Sequence, residues 1–115
     1  MSPQIRHYGL LAIKTILTLA FAAAGLAKLA GVQMMVDTFT TIGWGQWFRY
    51  LTGVIEVGSA MLLWVPGMAW IGAALLTCTM ACAVLFHLLV LGPSAVPALI
   101  LGILSAIILK TIRPA

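Results

Sequence analysis

Four apolar runs, each close to the length that crosses a bilayer, constrain this chain more than any other feature of its sequence. About 20 apolar residues in an α-helix span the hydrocarbon core of a membrane. Unpaired backbone polar groups are costly in lipid, so segments of this kind cross as helices. We therefore expect an all-α fold, an integral membrane four-helix bundle formed as a single domain over residues 1–115. The expected spans are about residues 8–30, 47–64, 69–91 and 94–112.

The composition agrees with lipid as the solvent for most of the surface. Hydrophobic residues make up 63% of the chain and charged residues 7%, with a mean hydropathy of +1.19. A soluble domain carries about 25% charged residues. The net charge is +4, but the basic residues are scattered near the ends of the apolar runs and form no basic face. We therefore interpret them as membrane flanks and expect no nucleic-acid partner.

Short breaks separate the later runs. The segment VPG, residues 65–67, divides the second run from the third, and GPS, residues 92–94, divides the third from the fourth. We expect Ser94 to cap the fourth helix and Pro97 to lie in its first turn, where a missing N–H group costs little.

The link over residues 31–47 is longer and amphipathic. Trp44 and Trp47 near its end are typical of the aromatic belt at a membrane surface. Its apolar residues recur at helical spacing, which predicts a short interfacial helix between helices 1 and 2. These residues are Val32, Met35, Val36, Phe39 and Ile42.

The basic residues also predict an orientation. Lys28 and Arg49 fall on one side of the four predicted spans, whereas four basic residues fall on the side that holds both termini. Because positive charge is retained in the cytoplasm, we expect both termini to be cytoplasmic, in a bacterial cytoplasmic membrane. The four residues on the side of the termini are Arg6, Lys14, Lys110 and Arg113.

The first run also has features of a secretory signal, because Arg6 precedes a long apolar stretch that ends in AFAAAG. Its apolar stretch is long for a signal, and Lys14 interrupts it. We therefore expect a retained membrane span.

Glu56 is one of only two acidic residues, yet it lies in the middle of the second run. A charged side chain facing lipid costs a few kcal/mol. Steps of three and four residues from Glu56 meet only polar or small residues, whereas the other faces are apolar, so we expect Glu56 to face the other helices. The stripe consists of Arg49, Thr52, Gly53, Glu56, Ser59 and Ala60.

A buried carboxylate takes up a proton or finds a cation. We expect Lys28, Arg49 and His87 near the outer helix ends, where with Glu56 they would line a polar pocket in the outer half of the bundle. That pocket would serve ligand binding or proton exchange. Three structural alternatives remain open: lysine and arginine snorkelling to the interface, a hydrogen-bonded core histidine, and a purely structural ion pair.

The two cysteines, Cys78 and Cys82, lie four residues apart on one predicted helix. A disulfide between consecutive turns would be strained, so we expect two small buried apolar side chains. No metal site is expected. The two histidines, His7 and His87, would lie on opposite sides of the membrane.

Three stretches together resemble the DoxX-like family of small four-helix membrane proteins. They are AAGLAKLAG, IGWGQWFRYLTGVIEVGSAMLLWVPG and MACAVLFHL, within residues 20–92. Their order is G-x-x-K-L, a surface link, G-x-x-E-x-G and a late histidine. The positions that match this pattern are Gly25, Lys28, Gly53, Glu56, Gly58 and His87.

The resemblance implies the same four-span topology but no single chemistry. Members of the family are linked to thiosulfate–quinone oxidoreduction, to oxidative-stress membrane complexes and, in distant animal relatives, to assembly of other membrane proteins. This chain has no C-x-x-C pair, so a self-sufficient thiol enzyme is not implied.

These observations favour an accessory or binding subunit for a hydrophobic or quinone-like ligand, linked to membrane redox processes. The chain shows no motif for a cofactor of its own, so the expected ligand is a quinone or lipid held non-covalently, with electrons supplied by a redox partner protein. Catalytic residues are not identified, and activity as an enzyme by itself is not expected. Besides membrane lipid, a second copy of the chain is a further possible partner.

Two alternatives remain. A small proton-coupled multidrug exporter has a similar length and one membrane carboxylate, but such exporters place the acid in the first span, where this chain has Lys28. A ligand-free assembly partner of other membrane proteins would use its stripes of small residues as helix–helix contacts.

Overall fold

The computed structural model describes residues 2–92 and 95–112. Across these ranges every regular element is helical, which confirms the all-α class. A π-helical turn, His87–Leu91, continues the fourth helix directly. The five α-helices of the described ranges are α1 (Pro3–Ala30), α2 (Gln33–Ile42), α3 (Gln46–Leu62), α4 (Ala69–Phe86) and α5 (Val96–Ile112).

The helix ends follow from the residues that stand there. Ser2 caps α1, because its Oγ accepts the Ile5 N–H at 3.1 Å, and Gly31 ends the helix in the left-handed conformation, at φ 74°. Pro97 lies in the first turn of α5 as expected. The predicted cap at Ser94 and the basic residue Arg113 lie outside the described residues.

The predicted helix in the link is confirmed as α2, which buries Phe39. It packs against α3 and against the π-helical turn, with a lighter contact to α1. Its position in a membrane interface stays a prediction.

Helices α1 and α3 run antiparallel, as three successive contacts show. The Arg49 guanidinium donates to the carbonyl of Lys28, and the backbones meet at Gly25 and Gly53. Farther along, Trp64, just beyond α3, donates its indole N–H to Thr18 at 2.7 Å. Helix α4 packs between α3 and α5, and α5 also contacts α1.

The interior is small, and much of the outer surface is apolar. Leu17, Leu76 and Ile108 are fully buried in one core cluster. By contrast, Leu19 and Leu89 are 68% and 78% exposed. A protein in water rarely exposes so many large apolar side chains, whereas a lipid solvent favours them.

Two of the described helical segments are long and apolar enough to cross a membrane. They are α1, with 28 residues, and α4 with its π-helical turn, with 23 residues; the mean hydropathy over an 18-residue stretch is 2.0 in the first and 2.3 in the second. Helices α3 and α5 have 17 residues each. Each is therefore about 26 Å long, slightly less than a hydrocarbon core of about 30 Å. Membrane crossing by α3 and α5 stays a prediction.

Candidate functional site

One face of α3 is buried, and it is the face predicted from the stripe of polar and small residues. Arg49, Gly53, Glu56, Ser59 and Ala60 are all buried, and Glu56 is only 1% exposed. Three of these five residues carry polar or charged side chains. The prediction that Glu56 faces the other helices is confirmed.

Lys28 supplies the cation for Glu56. Its Nζ lies 2.6 Å from Glu56 Oε1, and the two side chains are 13% and 2% exposed. Helical side chains point toward the N-terminus of their own helix. The C-terminal end of α1 lies beside the N-terminal end of α3, because the two helices are antiparallel. Lys28 therefore points from the end of α1 toward its middle, and Glu56 points from the middle of α3 toward its N-terminal end. The two side chains converge from neighbouring levels of the helix pair.

A glycine contact sets the spacing of this ion pair. A Cβ atom on Gly25 would lie 2.6 Å from Val57 Cγ2 and 2.9 Å from the carbonyl oxygen of Gly53. A Cβ atom on Gly53 would lie 3.0 Å from the carbonyl oxygen of Gly25. Lys28 and Glu56 each follow one of these glycines by three residues, which is one turn along the helix. The close backbone approach therefore brings the two charged side chains within reach of each other.

A cavity of about 670 Å³ lies beside the ion pair, between α3 and α4 and beneath α2. This volume is typical of sites for small molecules and cofactors. The cavity brings Lys28, Glu56 and His87 together, whereas Arg49 does not line it. Most of the wall is apolar, and its polar side chains besides the cysteines are Lys28, Thr38, Thr52, Glu56, Thr79 and His87.

His87 stands where the cavity meets a second, smaller one of about 480 Å³, whose wall includes Asp37 and Thr41. The π-helical turn begins at His87, whose carbonyl accepts the Gly92 N–H at 3.0 Å. Its Nδ1 is buried and has no hydrogen-bond partner among the described residues. A buried polar atom without a partner costs about 1–3 kcal/mol, so this nitrogen is suited to a ligand. Single π-turns are frequent at functional sites.

Aromatic rings close the outer end of the cavity. The Phe48 ring centroid lies 5.6 Å from that of Phe39, 5.0 Å from Trp44, 5.7 Å from Trp47 and 5.9 Å from Phe86. These distances are typical of stacked and edge-to-face pairs. The cluster joins α2, α3 and α4, and three of its rings, Phe39, Phe48 and Phe86, line the cavity.

The chain matches the model of the DoxX-like family over residues 12–109. It belongs to the DoxX-like family. The match extends beyond residues 20–92, which carry the resemblance seen in the sequence, and it includes all three charged or imidazole side chains of the cavity. Family membership, together with the two long apolar helices, indicates a small membrane protein. No curated protein and no solved structure matches this chain.

Arg49 of this DoxX-like protein is buried at the end of α1 and not in the cavity. Its Nε donates to Gln46 Oε1 at 2.7 Å, its Nη1 donates to the carbonyl of Lys28, and its Cζ lies 4.3 Å from the Tyr50 ring centroid. A cation that donates to the last carbonyls of a helix stabilises that end. The geometry therefore favours a capping role for Arg49 over contact with a ligand.

Arg49→Met is expected to lower the free energy of unfolding by about 1–3 kcal/mol, because the carbonyl of Lys28 loses a charged donor in a buried place and keeps only the Gly31 N–H, at 3.3 Å. Denaturant unfolding of the purified protein in detergent measures this change. Arg6→Met is the matched control, since Arg6 donates to the carbonyl of Thr111 at 3.1 Å but is exposed to solvent. Equal effects of the two substitutions would contradict the capping role.

The expectation that Cys78 and Cys82 are buried is wrong. Both are exposed, and both line the cavity. Sequence reasoning also missed Thr38 and Thr79 as lining residues, whereas Thr52 belongs to the predicted inward stripe of α3. Helical spacing from His87 back to Thr79 and Ala83, and from Cys82 to Cys78, was the available signal. Among the described residues, no group of three or more histidine, cysteine or acidic side chains is placed to hold a metal ion.

Proposed function

We propose that this DoxX-like protein is an accessory or binding subunit that holds a hydrophobic, quinone-like ligand between α3 and α4 and serves a membrane redox reaction. The observation that carries the proposal is a largely apolar cavity of about 670 Å³ whose wall includes Lys28, Glu56 and His87. Apolar pockets with a few converging polar groups are typical ligand sites.

The chemistry of these side chains suits a quinone head group. A quinone presents two carbonyl acceptors, and its reduction to the quinol takes up two electrons and two protons. The Lys28 ammonium and a protonated His87 nitrogen can donate to the carbonyl oxygens. His87 and the Lys28 ammonium can each pass a proton to the reduced oxygens, while the Glu56 carboxylate holds the ammonium in place. The electrons would come from a redox partner protein.

Four membrane crossings with both termini in the cytoplasm fit this site. Exposed apolar side chains on α3 and α5, such as Val54 at 58% and Ile103 at 52%, support lipid contact for the two shorter helices. In this orientation the cavity lies in the half of a bacterial cytoplasmic membrane that faces away from the cytoplasm.

Binding can be measured with the protein in lipid nanodiscs and a short-chain benzoquinone as the probe. The tryptophans report the binding, since the Trp44 ring contacts Phe48 and Phe86 of the cavity wall, and quinones quench indole fluorescence. We expect saturable quenching, and His87→Phe is expected to weaken the affinity about tenfold, equal to about 1.4 kcal/mol.

His7→Phe is the matched control, because His7 is exposed on α1 and does not line the cavity. It is expected to bind the quinone like the unmodified protein. Absence of saturable quenching, or an identical affinity for all three proteins, would overturn the proposed function.

The ion pair of Glu56 favours this function over the small proton-coupled exporter. An exporter of that kind depends on a carboxylate free to exchange its proton with the substrate, whereas the Glu56 carboxylate is held 2.6 Å from the Lys28 ammonium. Proton-driven dye efflux from proteoliposomes, abolished by Glu56→Gln, would support the exporter instead. Co-purification with a fixed partner, unaffected by His87→Phe, would support the ligand-free assembly role.

A further inference from the structure

The cavity reaches the exposed surface of the protein on one side. Its innermost wall is formed by Glu56, which is 1% exposed, and Met80, which is 7% exposed. On the opposite side the lining residues are themselves exposed, with Leu51 at 45% and Leu75 at 41%. The cavity is therefore a cleft that runs from the helix interior to the surface between α3 and α4.

The opening follows from the way these two helices pack. At one end α4 touches α3 closely, because a Cβ atom on Gly72 would lie only 2.6 Å from the carbonyl oxygen of Ser59. At the other end the rings of Phe48 and Phe86 stand between the helices, with their centroids 5.9 Å apart. The two helices therefore touch at Gly72 and are held apart by the rings of Phe48 and Phe86. They diverge from the Gly72 end of α4 toward its Phe86 end.

The cleft is longer than a ring-sized head group. Its lining residues on α4 extend from Leu75 to Phe86, which is roughly 16 Å of helix at about 1.5 Å per residue. A single quinone ring would occupy less than half of this length. The remaining wall is mostly apolar and continues to the exposed edge.

Charge in the cleft is balanced before any ligand arrives. Lys28 and Glu56 neutralise each other at 2.6 Å, so a charged head group would leave one unpaired charge in a buried place. The lining residues at the exposed edge, among them Leu51, Leu75, Cys78 and Cys82, carry no formal charge. An uncharged polar head with an apolar tail is complementary to this distribution.

We infer that the ligand has an uncharged polar head and one long apolar tail, and that it enters from the bilayer through a lateral opening between α3 and α4. The head lies beside Lys28 and Glu56, and the tail passes between Leu51 and Cys78 into the lipid. This inference rests on the proposed function and specifies the ligand class and its route.

The two cysteines of the chain report directly on this opening, since both line the cleft and both are exposed. In nanodiscs, an uncharged membrane-soluble maleimide is expected to label Cys78 and Cys82 at least tenfold faster than a charged maleimide of similar size. Prior saturation with an uncharged long-chain isoprenoid quinone should slow maleimide labelling at least fivefold. The tailless analogue tetramethylbenzoquinone, whose ring has no free position for thiol addition, should at saturation slow it less than twofold.

Substitutions provide a second measurement. Cys82→Trp fills the exposed edge and is expected to weaken binding of the long-chain quinone about tenfold, while the tailless analogue binds as before. Leu85→Trp is the matched control, because Leu85 is 56% exposed on the same helix and does not line the cleft.

The outcomes separate the two proposals. If the tailless analogue protects the cysteines as well as the long-chain quinone does, or if the charged maleimide labels them as fast as the uncharged one, the lateral route is wrong although a binding site remains. If neither quinone binds saturably, the proposed function itself fails.

Discussion

Lys28→Met is expected to lower the free energy of unfolding by about 3–5 kcal/mol, because it leaves the Glu56 carboxylate buried without its cation. The Glu56 side chain is only 2% exposed, so water replaces the ammonium group poorly. The double substitution Lys28→Met with Glu56→Gln removes both charges and is expected to recover most of this loss. Denaturant unfolding in detergent, followed by tryptophan fluorescence, measures all three proteins.

Lys14→Met is the control for the loss of a lysine from α1. Lys14 Nζ lies 4.6 Å from the Trp64 ring centroid, and such a contact contributes about 0.5–1 kcal/mol at a partly exposed position. A double variant as unstable as Lys28→Met alone would show that Lys28 stabilises the protein through packing and not by neutralising Glu56.

Gly25→Leu is expected to prevent the folded protein from accumulating, and Gly25→Ala to cost about 1–3 kcal/mol. The added Cβ would lie 2.9 Å from the carbonyl oxygen of Gly53, and a backbone atom in a packed helix cannot move aside alone. Pushing α1 from α3 would also separate Lys28 from Glu56. Yield after membrane extraction and unfolding in detergent measure the two effects.

Gly9 is the matched position for this test, because it lies in the same helix and a Cβ atom there would have no neighbour within 4 Å. Gly9→Ala is expected to be neutral or slightly stabilising, since alanine favours helix formation over glycine by up to about 1 kcal/mol. Gly58, which completes the G-x-x-E-x-G pattern, likewise has open space around it, so Gly58→Ala should be tolerated. Equal losses at Gly9 and Gly25 would exclude backbone contact as the reason for the glycine.

The helices were predictable from the four apolar runs. The inward direction of Glu56 was predictable because polar and small residues mark one side of α3. Helix α4 offers no such contrast, since nearly all its residues are apolar. The exposure of Cys78 and Cys82 therefore depends on how α4 packs against its neighbours, which its sequence does not encode locally.

The partner of Glu56 was open for a similar reason. Arg49 shares a helical face with Glu56, but it donates to Gln46 and to the Lys28 carbonyl at the end of α1. Lys28 lies on another helix, and its pairing depends on the contact of Gly25 with Gly53. Tertiary contacts of this kind are not encoded in the spacing of residues along one helix.

The π-helical turn has a consequence for changes in chain length. Its bond from the Gly92 N–H to the His87 carbonyl spans five residues, one more than the bond of an α-helix. Deleting a single residue from the segment 88–91 would restore ordinary α-helical bonding there. The preceding helix would keep its register, and His87 its orientation, while everything after the deletion would rotate about the helix axis. Homologous chains that differ here by one residue should therefore retain the imidazole in place and vary in the approach of the connection to α5.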